Sequence, residues 1–177
     1  MAQKALFITI NDLKRKSIID GNVDADKLIQ FIEVAQDTHI QNYLGGLLYN
    51  KIQSLIINNT IDDAGNSDYK TLLESYIKPM LVWFTQSSYL PFAMYQISNG
   101  GVFKHRSENS ETISLEEMRM MLSKVTETAE FYTRRFVDYM DYNSTLFPEY
   151  TSSTNGEMYP DKDVNFNSWV LWWNKKK

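Results

Sequence analysis

Cysteine is absent from the 177-residue chain, which removes disulfide scaffolds, thiolate metal sites and cysteine nucleophiles together and fits a reducing cytoplasm. Histidine occurs only at His39 and His105. Neither has a second His four residues away with a Glu between, and no Glu-x-x-His pair exists, so zincin and di-iron bundle chemistry have no ligands. Long apolar runs are also missing. The densest, Met80–Phe84, falls far short of the roughly 20 residues a membrane-spanning helix needs. Met1–Ile10 lacks the apolar core of a signal peptide. The expectation is a soluble intracellular protein with no membrane partner, in which the glycosylation-like triplets at Asn58 and Asn143 are chance matches. A basic block is missing from the body of the chain: 18 Lys plus Arg stand against 22 Asp plus Glu, a net charge of −4. That balance disfavours general nucleic-acid binding.

Glycine, acid and serine patterns exclude further chemistry. Gly45-Gly46 and Gly100-Gly101 are not followed by the Lys-Ser/Thr or third Gly of a phosphate loop. Asp24-Ala-Asp26 and Asp161-Lys-Asp163 lack the turn Gly and terminal Glu of a calcium loop; helix capping accounts for the first pair, a solvated tail for the second. No nucleophile elbow accompanies the serines. The sequence offers no catalytic, cofactor-binding or metal-ligating residue. For His39 the expected role is that of a helix-face packing or surface residue.

What the chain does contain is apolar and aromatic side chains, 43% and 14% of its residues, enough for one folded domain with an appended arm. The spacing predicts an all-α bundle built on two long helices and two or three shorter ones. Leu115, Met118, Leu122, Val125, Ala129, Tyr132, Phe136 and Tyr139 form a heptad-type stripe over 114–143, started by a capping box at Ser114 and Glu117. Such a helix is roughly 45 Å long and needs partners along its whole length. A second long helix, Ser67–Ser98, carries a wide apolar arc, is capped by Ser67 and is expected to kink at Pro79 and Pro91, or to break once there, before Asn99-Gly100-Gly101 ends it. Asp24–Tyr43 and Leu47–Asn58 are shorter helices separated by Gly45-Gly46, and another short one is expected around Asn11–Lys16. Between the long helices, 101–113 reads as a small hairpin or extended loop.

No helical pattern returns after Asn143, which divides the chain into a helical domain, 1–146, and an irregular C-terminal arm, 147–177. Trp169, Trp172 and Trp173 cluster in that arm, ahead of Lys175–Lys177. They either fold back to complete the core or anchor the arm on another subunit; the weight of Trp in interface hot spots favours the second. With Phe103, Lys104, His105 and Arg106 of the basic loop, they are the candidate interface residues.

Several segments, in order, carry a resemblance. Ile40-Gln-Asn-Tyr43-Leu44-Gly45-Gly46-Leu47-Leu48-Tyr49-Asn-Lys-Ile52, Tyr76-Ile-Lys78-Pro79-Met-Leu81, Asn99-Gly-Gly101-Val102 with Ser107-Glu-Asn-Ser110, Ala129-Glu-Phe-Tyr132 and Phe147-Pro148-Glu-Tyr150 resemble the head–tail connector proteins of tailed bacteriophages. They stand nearest to those of crAss-like and related Bacteroidetes-infecting phages. The resemblance runs from Asp24 to Tyr150 and leaves the Trp cluster unmatched. It implies a helical adaptor that forms a ring, a dodecamer, beneath the portal protein and docks the next tail component. DNA would pass through its channel without sequence-specific binding, which mild negative charge suits. The place implied is the head–tail interface of a virion assembled in the bacterial cytoplasm. The family supplies no catalytic residues or cofactor. The competing readings are a cytoplasmic helical protein-binding module without catalytic activity and, behind it, an enzyme with a pocket between helices.

Overall fold

A computed structural model describes residues 4–19, 23–93, 95–98, 101–104, 113–152 and 158–164. Its order is α1 (Ile10–Lys16), α2 (Ala25–Ala35), a π turn (Gln36–Ile40), α3 (Gln41–Ile57), α4 (Ser67–Leu72), a second π turn (Leu73–Ile77), α5 (Lys78–Ala93), strands β1 (Tyr95–Ser98) and β2 (Gly101–Lys104), α6 (Leu115–Asn143), a 3₁₀ turn (Ser144–Leu146) and α7 (Pro148–Thr151). The protein is an all-α bundle carrying one antiparallel hairpin. Helices α5 and α6 form its centre, running in opposite directions: Ser87 faces Thr126 across 3.4 Å, and the Tyr76 and Tyr139 rings stack at 4.0 Å. Around them α2 and α3 bury Leu28, Ile32, Leu44, Leu48 and Ile52, while Phe84, Phe136 and Phe147 lie almost wholly out of water.

Local chemistry sets the helix starts. Asp24 caps α2 by accepting the Asp26 amide at 3.0 Å. Ser114 and Glu117 form the expected reciprocal capping box of α6. At α4, Asn66 rather than Ser67 occupies the cap position, and its side chain donates to the Thr60 carbonyl at 2.9 Å. Pro79 follows directly on the second π turn, where the Lys78 amide reaches back to the Leu73 carbonyl. Widening the helix there relieves the proline ring of its clash with the preceding turn, so the chain bends without breaking. Pro91 sits in the last turn of α5.

Three expectations are corrected. Strands 95–98 and 101–104 pair with Tyr95 opposite Lys104 and Ser98 opposite Gly101, so the last residues assigned to the long helix form a strand. Along α6 the inner face drifts: Thr133, Phe136, Val137 and Met140 are buried, while Tyr132 and Tyr139 move to the edge and Leu115 stays exposed. A straight helix of 3.6 residues per turn loses about 20° per heptad against a seven-residue stripe, which accounts for the drift. Finally, the segment from Phe147 is not loose. Phe147 and Tyr150 enter the core, α7 is a helical turn, and the Tyr69 hydroxyl donates to Glu149 at 2.8 Å.

Candidate functional site

Helix α3 contains a break that the rest of the molecule is arranged to fill. Gly45 has φ 72° and ψ 165°, a conformation that L side chains rarely adopt. In an unbroken helix the Gly46 amide would pair with the Asn42 carbonyl, four residues back. Here the Gly46 amide donates to the Met158 carbonyl at 2.8 Å, and the Asn42 carbonyl accepts from the Asp161 amide at 2.9 Å. The extended segment 158–164 thus enters the break and satisfies both halves of the opened pair. Asn42 Nδ2 adds a bond to the Asp161 carboxylate at 3.1 Å, and the Tyr43 hydroxyl donates to the Asp163 carbonyl at 3.2 Å. Burial, reinforced by Asp161 and Asp163, pushes the Tyr43 phenol up to about 12, which keeps it a donor. A Cβ on Gly45 would lie 2.8 Å from Pro160 Cδ and 2.9 Å from the Met158 carbonyl oxygen. The pair Asp161/Asp163, expected in a solvated tail, is therefore part of this clasp.

The N-terminus is held differently. Two buried glutamines act as surrogate backbone: Gln36 Oε1 accepts the Phe7 amide at 2.7 Å, Gln53 Oε1 accepts the Ala5 amide at 2.7 Å, and both side-chain amides donate to the Ala5 carbonyl. The Tyr49 hydroxyl completes the network, receiving Gln36 at 3.0 Å and Gln53 at 3.2 Å while donating to Asp37 at 3.3 Å. A third buried glutamine, Gln86, accepts the Ile18 amide at 3.1 Å. Sequence reasoning missed all three, because an isolated Gln on a helix looks the same whether it faces water or a passing chain.

Nothing at these anchors resembles an active site. His39 stacks on Phe84 at 4.1 Å and 7°, and burial lowers its pKa to about 4, so it is neutral near pH 7 and serves as packing. Among the described residues no group of His, Asp or Glu could hold a metal ion, and no helix is long and apolar enough to cross a membrane. A surface depression of about 640 Å³ lies beside Lys4, Asp37 and Asn50.

The outer side of α6 carries uncovered apolar surface. Met120, Phe131 and Tyr142 recur every eleven residues opposite the buried face and are 72%, 55% and 89% exposed. Beside them, Arg119, Leu122, Ser123, Thr126, Glu127 and Glu130 line a shallow groove of about 360 Å³. Phe92 is exposed beside Phe31, and Tyr95 is exposed as well. Of the sequence candidates, Trp169, Trp172, Trp173, His105 and Arg106 lie outside the described residues. Phe103 and Lys104 belong to β2, of which the backbone course is described.

No curated protein and no solved structure matches the chain. Residues 40–159, from the end of the first π turn through the glycine break and into the clasp that fills it, match DUF6712, a family of unknown function, and the chain belongs to that family.

Proposed function

We propose that the protein is a structural virion component: a ring adaptor between portal and tail of a tailed bacteriophage, lining the DNA channel and docking the next tail component. The observation that carries the reading is the surplus of apolar surface on α6. A helix of 29 residues, about 43 Å long, buries one face in its own bundle and leaves Met120, Phe131 and Tyr142 uncovered on the other. A closing ring needs two different contact faces per subunit beyond those that stabilise the fold. Of the segments that resemble phage connectors, one contains the glycine break, one the passage from the second π turn into α5 at Pro79, one the middle of α6 and one the start of α7. Trp169, Trp172 and Trp173 are proposed as the arm that joins neighbouring subunits, and the 103–106 region as a contact to portal or tail. Net charge of −4 suits a conduit through which DNA slides without being held.

Negative-stain imaging of purified protein, alone and with portal, tests this. Closed rings are the expected result. A strict monomer that never joins a portal assembly overturns it.

A further inference from the structure

Met120, Phe131 and Tyr142 stand about three turns apart, so they share one line on the outer face of α6, with a drift of about 20° at each step. Two charged residues lie on that line in each interval: Lys124 and Glu127 in the first, Arg135 and Asp138 in the second, all four exposed. The steps from Met120 to Phe131 are four, three and four residues, and those from Phe131 to Tyr142 are the same. The line therefore keeps its spacing and its apolar positions when read from the other end, and each charge meets its opposite. Lys124 exchanges with Asp138, Glu127 with Arg135, Met120 with Tyr142, and Phe131 with itself.

We propose that α6 pairs antiparallel with α6 of a second copy, about a twofold axis at Phe131. The two Phe131 rings then meet at the centre, and Met120 meets the partner's Tyr142 at each end in a sulfur–aromatic contact, over a paired length of about 33 Å. Within one copy Lys124 bonds Glu127 at 2.7 Å, with side chains 78% and 56% exposed. Arg135 and Asp138, by contrast, form no ion pair among the described residues. The Arg135 guanidinium lies over the Tyr76 and Tyr132 rings at 5.7 and 5.8 Å, a stacking that leaves its in-plane N–H groups for a carboxylate. Antiparallel pairing sets this Arg–Asp couple against the partner's Lys124 and Glu127, a four-charge network on either side of Phe131. Parallel pairing in register would set each charge against its like, so charge fixes the orientation.

Such a contact is isologous, whereas the contact that closes a ring is heterologous. The pair thus goes beyond the ring reading and does not rest on it. It describes the free chain; a ring that used this face would have to open the pair first.

The chain has no cysteine, so introduced thiols are its only ones. Met120→Cys/Tyr142→Cys, oxidised after purification, is expected to give a covalent species that stops at two copies, because two symmetric disulfides close it. The two positions lie about 33 Å apart on one helix, beyond the reach of a disulfide within the chain. Met120→Cys alone is expected to stay uncrosslinked. A ladder of higher species means a head-to-tail contact, cross-linking by Met120→Cys alone means a parallel one, and a double variant without covalent dimer means no contact here. Each of these overturns the proposal.

A second arm leaves the apolar line intact. In sedimentation velocity Lys124→Glu is expected to weaken dimerisation about tenfold, since it sets a carboxylate against the partner's Asp138 at both symmetric positions. Adding Asp138→Lys is expected to restore it, because two acids then face two bases, although the bond from Lys124 to Glu127 is lost in both variants. Equal weakening in the single and double variants overturns the pairing, as does an unmodified chain that stays monomeric.

Discussion

The N-terminal strap, residues 4–8, is held by the amide side chains of Gln36 and Gln53, whereas the C-terminal strap, residues 158–164, is held mainly by main-chain groups that α3 gives up at Gly45. In the first case the helices stay intact and side chains imitate a strand partner. In the second, the helix itself opens and the incoming segment completes it. The difference matters for robustness. A side-chain clamp fails when one polar group is removed, while a backbone clamp fails only when the backbone can no longer take its shape.

The comparison can be broken most sharply at Gly45. Alanine there meets both the left-handed φ and the contacts with Pro160 and Met158, and a loss of about 3 kcal/mol is expected in chemical denaturation. Hydrogen exchange at the Gly46 amide should accelerate in step; a neutral result would mean the strap does not depend on this geometry. Next in size is Gln36→Leu, which strands the buried Phe7 amide and should cost about 2 kcal/mol. Because Gln53 still holds Ala5, the loss should release residues 6–8 without loosening 158–164, as exchange rates can check.

His39 gives a smaller, pH-dependent effect. Burial holds its pKa at about 4 against 6.5 in the unfolded chain. Between those values the unfolded state binds a proton that the folded state refuses, so this contribution is complete above pH 6.5 and is lost as pH falls toward 4. His39→Phe should flatten the part of the stability profile in that window; an unchanged profile would refute the buried, neutral assignment. The smallest change expected is a gain. Tyr150 is the only described residue with a buried side-chain polar atom lacking a partner, and Tyr150→Phe should raise stability by about 0.5–1 kcal/mol.

Legibility in the sequence followed the reach of each interaction. The Ser114–Glu117 capping box, the glycine break and the start of the bundle helices rest on contacts within a few residues, and these could be read directly. The partner of the break could not, since 158–164 has no periodicity and its bonds to Asn42 and Gly46 span more than a hundred residues of chain. Tyr95–Ser98 continues the apolar character of α5, which concealed the strand. The stripe along α6 held at Met118, Val125, Ala129 and Phe136, but Leu115 is exposed at its start and Thr133 and Met140 replace the edge tyrosines inside toward its end. The candidate interface was legible only as composition: tryptophan in the tail identified a sticky segment without saying what receives it.

The proposal that this protein is one segment of a ring is tested most directly by mass photometry of the full chain, with and without portal protein. The account predicts a single closed species, a dodecamer of 20.7 kDa protomers, present alone or nucleated by portal. A monomer at every concentration, unchanged by portal, would contradict it.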